Sequence, residues 1–125
     1  MTDWTTAELD RVDGADELQI TTARRDGSLR SWVPIWAVRV GNELFVRSYR
    51  GTDGAWYRHA TQLPNGRIRA NGMERGVAFD SADENFTTAV DEAYRAKYAR
   101  YGSTYLRPML AEQARAATLR LTPRD

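Results

Sequence analysis

Apolar and polar positions along the chain follow a brief helical period at the start, then the two-residue alternation of strands, and a helical period again past the middle. Thr5 to Val12 reads as a short amphipathic helix, with Thr5 or Thr6 as its cap, Glu8 in the capping-box position and Gly14 at its end. Leu18–Arg24 has a β-type composition around Ile20, Thr21 and Thr22, and Asp26-Gly27 follows as a turn. Trp32–Val40 is apolar on both alternating faces, as in a strand covered on two sides, while Pro34 cannot donate to a ladder and implies a bulge or edge. Gly41-Asn42 turns the chain into Leu44–Tyr49, and Trp56–Gln62 reads as a single helical turn.

The strongest hairpin signal is Asn71-Gly72, because both residues tolerate positive φ; it joins strands Arg67–Ala70 and Glu74–Asp80. Ser81-Ala82-Asp83-Glu84 predicts a capping box. Behind it Phe86, Val90, Ala93, Tyr94, Lys97, Tyr98 and Tyr101 fall on one helical stripe that Gly102 stops. A loop through Pro108 then leads to a last strand, Ala117–Thr122. These elements predict a mainly β (α+β) fold: a small six-stranded antiparallel barrel crossed by one long helix in the C-terminal half, with a short N-terminal helix, in a single domain over residues 1–125.

Composition narrows the function. The chain has 18 Lys+Arg against 17 Asp+Glu, for a net charge of +1. That balance argues against nucleic acid, whose phosphate backbone calls for a broad basic face. The charge is unevenly placed, however: nine arginines but only Asp26, Glu43 and Asp53 lie between Arg24 and Arg69. The absence of cysteine excludes disulfides and thiolate metal sites. No apolar run reaches spanning length, and the N-terminal residues lack a basic-then-apolar export signal, so a cytoplasmic location is expected.

Residues 44–60 concentrate the candidate chemistry. A strand ends in Arg47-Ser48, a loop carries Arg50, Gly51 and Gly54, and Trp56-Tyr57-Arg58 closes it. Guanidinium forks, backbone made approachable by glycine, and aromatic faces together suit a ligand with an anionic end and a flat ring. Other chemistries lack their signatures. His59 is the only histidine and no Gly-x-Ser-x-Gly elbow accompanies it, which disfavours hydrolysis. Asp80, Asp83 and Glu84 match no calcium loop and read as helix-start charges, and no metal site is expected.

The segments Leu18–Gly27, Val33-Pro34-Ile35-Trp36 and Leu44–Tyr57 resemble the FMN-binding split-barrel superfamily, and within it the deazaflavin-dependent nitroreductase branch. Over roughly residues 8–123, including Tyr94-Arg95-Ala96-Lys97-Tyr98 and Ala114–Leu121, the chain is similar to an uncharacterised bacterial family, domain of unknown function 2255. The resemblance implies a split β-barrel, usually a homodimer, that holds FMN or the deazaflavin coenzyme F-420 in a groove. It implies that Arg24 and Arg25 reach the coenzyme phosphate, that Ser48, Arg50 and Gly51 cradle the phosphate or ring edge, and that Trp56 and Tyr57 follow in the Ala-Trp-Tyr segment. Arg47 joins the phosphate-binding candidates, Tyr98 and Trp36 those that meet substrate, and Tyr101 or Tyr105 would supply a proton. Trp36 and Tyr98 are also ordinary core or interface residues by type.

The chain departs from the branch in its loop. Tyr49-Arg50-Gly51-Thr52-Asp53-Gly54 stands where the branch has a Lys and adjacent glycines, and Gly54 replaces a Pro. The expected function is a small flavin- or deazaflavin-dependent oxidoreductase passing a hydride to an electron-poor molecule. Deazaflavin is favoured over FMN by the Ala-Trp-Tyr segment. The alternative is a coenzyme-free barrel that binds, isomerises or cyclises a small metabolite.

Overall fold

The capping box at the start of the chain forms as its spacing requires. In the computed structural model, which describes residues 3–124, the Thr5 hydroxyl accepts from Glu8 N while the Glu8 carboxylate accepts from Thr5 N. Helix α1 (Thr6–Asp13) follows and Gly14 caps it. Met1, Thr2 and Asp125, which the 1–125 domain reading includes, lie outside the described residues.

Seven strands make one antiparallel sheet: β1 (Leu18–Thr22), β2 (Val33–Ile35), β3 (Ala37–Val40), β4 (Glu43–Arg47), β5 (Asn65–Ala70), β6 (Met73–Ser81) and β7 (Thr118–Pro123). Their order is β2-β1-β5-β6-β7-β4-β3, so β2 and β3 stand at opposite ends although only Trp36 separates them in sequence. One eight-residue stretch thus bonds to β1 at its start and to β4 at its end, which nearly closes the sheet into a barrel. The expected strand Trp32–Val40 is therefore two strands, and the count is seven where six were expected. Pro34 pairs with Gln19 in the short β2. At the β5–β6 hairpin Asn71 (φ 47°) and Gly72 (φ 79°) take the positive dihedrals that the turn needs.

Alternation sorts the strand residues into two cores. Leu18, Ile20, Leu44, Val46, Ile68, Val77, Leu119 and Leu121 fill the barrel interior, and Trp4, Leu9 and Val12 from the α1 segment pack into it. Val38 and Phe45 instead point outward and meet Val90, Tyr94, Tyr98 and Met109. That is why β3 is apolar on both faces. The outer layer is α3 (Thr87–Tyr98), α4 (Ser103–Leu110) and α5 (Glu112–Ala116). Lys97 on α3 donates to Val12 O (3.1 Å) and Ala37 O (2.8 Å), linking α1 to β3.

Three local expectations need correction. Ser81 ends β6 rather than capping a helix; Asp83 accepts from Asn85 N and starts a 3-10 turn before α3. Residues 103–116, expected as a loop through Pro108, are helical: Pro108 lies inside α4, whose packing against α3 tolerates the missing N–H. The single turn at Trp56–Gln62 is the eight-residue helix α2 (Ala55–Gln62).

Candidate pocket at the barrel split

The switch of partners at Trp36 opens a gap in the barrel wall. Pairing of β3 with β4 runs through Ala37↔Val46, and the chain before it leaves to pair with β1. Tyr98 holds the bend: its hydroxyl donates to Ala37 O (3.0 Å) and accepts from Ala37 N (3.1 Å), and its ring stacks on Trp36 at 3.9 Å and 2°. The Tyr98 ring is fully buried, and burial pushes its hydroxyl pKa well up. Tyr98 is thus a positioning residue behind Trp36, which corrects its expected contact with substrate.

A cavity of about 420 Å³ occupies the gap. Val33, Pro34, Ile35 and Trp36 line one side, Tyr49 and Trp56 another, and Thr104, Tyr105, Pro108 and Met109 of α4 the third. Glu17 stands at its edge. Trp36, Trp56 and Tyr105 thus line one cavity. Tyr101 is not among the lining residues; its ring leans on Trp36 and Tyr98, and its hydroxyl accepts from Arg100. Tyr57 packs against the barrel interior.

Arg47 also departs from expectation. It forms part of the cavity wall, yet its side chain has no exposed surface. The guanidinium pairs with Asp91 at 2.5 Å and donates to Met109 O and Thr118 Oγ1, each at 2.9 Å. Asp91 also pairs with Arg115 at 2.7 Å. A buried arginine bound on several sides is a strut joining β4, α3, α4 and β7, so Arg47 has no fork to offer a phosphate. Asp91 and Arg115 were missed by sequence reasoning, and nothing in the local pattern marks them.

The loop after β4 is compact. Ser48 is buried, its N donating to Ala117 O, and its hydroxyl lies against Gly54. Gly51 (φ 68°) is buried against Gln113, and a Cβ there would stand 3.1 Å from the Gln113 carbonyl oxygen. Its freedom serves the close contact with Gln113 at the start of α5. Arg50 remains exposed at the rim, its Nε donating to the Tyr49 hydroxyl at 3.1 Å.

The other candidate arginines, Arg24 and Arg25, lie in the turn after β1 and line a shallow cavity with Leu63, Asn65 and Arg67. Arg24 donates to Ser28 Oγ and Leu29 O within its own turn, and Arg25 is exposed. Burial, and then the charges of Arg30, Arg58 and Arg24, hold the His59 pKa below its ordinary value. Among the described residues Arg24, Arg25, Arg30, Arg50 and Arg58 form no ion pair. Arg30 and Arg58 belong to the arginine-rich segment but were not singled out; the clustering of arginines was the signal that could have found them. Among the described residues no three His, Asp or Glu side chains gather as a metal site, and no helix is long and apolar enough to cross a membrane.

A family model described as "Uncharacterized protein conserved in bacteria (DUF2255)" matches residues 8–121. No curated protein matches the chain. Among solved structures the chain is similar to HutZ, the heme storage protein from Vibrio cholerae, with TM-score 0.69, 13% identity, and coverage of 100% of this chain and 92% of that one. A putative 5-nitroimidazole antibiotic resistance protein from Bacteroides thetaiotaomicron gives TM-score 0.67 at 10% identity, covering 100% and 83%. An F420-H2 dependent reductase gives 0.62 at 13% identity, covering 86% and 93%. At these identities the likeness shows the split-barrel fold.

Proposed function

The chain belongs to the DUF2255 family of proteins conserved in bacteria, and from that premise we propose that it is a small flavin- or deazaflavin-dependent oxidoreductase. The observation that carries this reading is the cavity at the barrel split, with indole rings at Trp36 and Trp56 and unpaired guanidinium groups outside it. The residues present fit a ringed, phosphorylated coenzyme. Val33, Ile35, Trp36 and Trp56 offer apolar and aromatic surface to a flat ring system. Arg50 at the rim, or Arg24 and Arg25 in the turn after β1, offers charge for its phosphate. Similar solved structures include F420-dependent reductases and a FAD-binding protein, which supports a flavin-type coenzyme; deazaflavin is preferred here on the Ala55-Trp56-Tyr57 segment.

When bound, such a group supplies hydride transfer. The chain's own part is positional. Trp36, held from behind by Tyr98, and Trp56 confine a ring on two sides, and Pro108 and Met109 keep water from the third. Tyr105 lines the mouth and is 67% exposed, so its hydroxyl is the group placed to hold or deliver a proton to an electron-poor acceptor. A homodimer, compatible with the domain-swapped dimer among the similar structures, would cover the exposed Tyr49 and Tyr105. A cytoplasmic location belongs to the same proposal.

The test is titration of purified protein with FMN and with oxidised deazaflavin, followed by visible absorbance and ring fluorescence. Saturable binding of one coenzyme that weakens about tenfold or more in Trp56→Ala would support the reading, since stacking on an indole is worth on the order of 1–3 kcal/mol. Absence of binding by both would overturn it in favour of the coenzyme-free metabolite barrel.

A further inference from the structure

The cavity at the split also carries a carboxylate. Glu17 lines it, exposed, just ahead of β1. Among the described residues its carboxylate has no ion pair. One step beyond the Leu18↔Ile35 pair, Glu17 comes level with Trp36, and both line the same space. Trp56 and Tyr105 add two further aromatic rings. The single cationic residue of the wall, Arg47, is sealed away with Asp91, and its side chain has no exposed surface. Arg50 lies outside, over the Tyr49 ring at 5.6 Å.

The cavity therefore combines aromatic faces with one exposed carboxylate at its edge, and among the described residues that line it no cation is free. Ring faces are electron-rich and attract ammonium groups, and a carboxylate adds direct Coulomb attraction in a partly desolvated space. The same carboxylate repels an anion. The geometry points to an organic cation, a substituted ammonium on a small apolar body, as the ligand class on the substrate side of this pocket. This deepens the oxidoreductase reading by naming its acceptor class, and it rests on the pocket being the substrate site, though not on coenzyme being bound.

The test uses the full chain without coenzyme and three probes of matched size: benzyltrimethylammonium, benzyl alcohol and benzoate. Binding is read from tryptophan emission and from saturation-transfer NMR of each probe. The cation is expected to bind roughly tenfold more tightly than the alcohol, with benzoate weakest. Glu17→Gln should remove most of that preference, Glu17→Asp should keep part of it, and Glu112→Gln, an exposed acid away from the cavity, should leave it intact. Glu17 is exposed, so its variants retain the fold, which thermal melts check. No saturable binding of the cation, equal affinities, preference for benzoate, or an unchanged preference in Glu17→Gln would each overturn the assignment. The probes report without coenzyme, so failure of the coenzyme titration is a separate outcome.

Discussion

Replacing Asp91 by Asn should unsettle this protein more than any other isosteric change in its outer layer. The Arg47 side chain has no exposed surface and that of Asp91 is 6% exposed, so the pair sits outside the reach of solvent. Without the carboxylate, the guanidinium keeps only neutral acceptors, among them Met109 O, Thr118 Oγ1 and Thr87 O. Breaking a buried ion pair from one side costs about 3–5 kcal/mol. Domains of this kind have about 5–15 kcal/mol in total. With a urea slope of about 1–3 kcal/mol per molar, the midpoint should fall by roughly 1–5 M. Arg115→Ala, which removes a 42% exposed partner of the same carboxylate, should cost about 1 kcal/mol or less. Joint replacement, Arg47→Met with Asp91→Leu, should recover much of the loss, because no charge is then left buried. Urea melts by circular dichroism and tryptophan emission measure all three. A loss below about 1 kcal/mol in Asp91→Asn, or a double variant as weak as the single one, would refute the argument. Because Arg47 binds Met109 O, Asp91→Asn should also loosen the α4 wall and weaken any ligand held there.

Other consequences follow from groups around the barrel. Burial alone would raise the Glu8 carboxyl, but the Thr5 backbone bond and the Arg75 bond and charge outweigh it, and its pKa is lowered below 4.5. The stability it contributes is therefore present above pH about 4.5 and lost as pH falls through the lower folded value; Glu8→Gln should flatten the acid limb of a thermal-melt series, and an unchanged limb contradicts this. His59 is the only histidine, so one imidazole resonance reports it; it should titrate below 6.5 and move upward when inorganic phosphate settles among Arg24, Arg30 and Arg58. Because the folded value lies under the unfolded one, His59 costs stability only as pH falls through about 6.5. A titration at or above that value would show the arginines to be farther away. Tyr98→Phe should lose about 1–3 kcal/mol in the same urea melts by leaving Ala37 N without its acceptor, while coenzyme affinity stays within about twofold because the stack on Trp36 needs only the ring. Gly66→Ala should abolish soluble folding, since its Cβ would collide with the Thr21 carbonyl oxygen, a backbone atom that cannot step aside; soluble expression at wild-type level would contradict it.

Signals that act over a few residues were legible in the chain: the Thr5–Glu8 capping box, the Asn71-Gly72 turn, and the double apolar face by which Ala37 and Val38 serve two cores. The order Val33-Pro34-Ile35-Trp36 and Ala55-Trp56-Tyr57 also pointed to the family and to two walls of the cavity. The break at Trp36 was not legible, because it depends on which strand lies beside each half of Trp32–Val40. Helices α4 and α5 were hidden by Pro108, a residue that local rules treat as a stop.

By itself the amino-acid order determined where strands, turns and helices could form, and that arginine would crowd one segment, because those properties depend on each residue and its near neighbours. Only the tertiary structure decided what each arginine does. Arg47 finds its carboxylate 44 residues away and is locked inside, while Arg50, three positions on, stays in solvent. Glu17 and Tyr105, far apart in the chain, come to line one cavity for the same reason: closing a barrel brings distant residues together, and no short-range pattern records which ones meet.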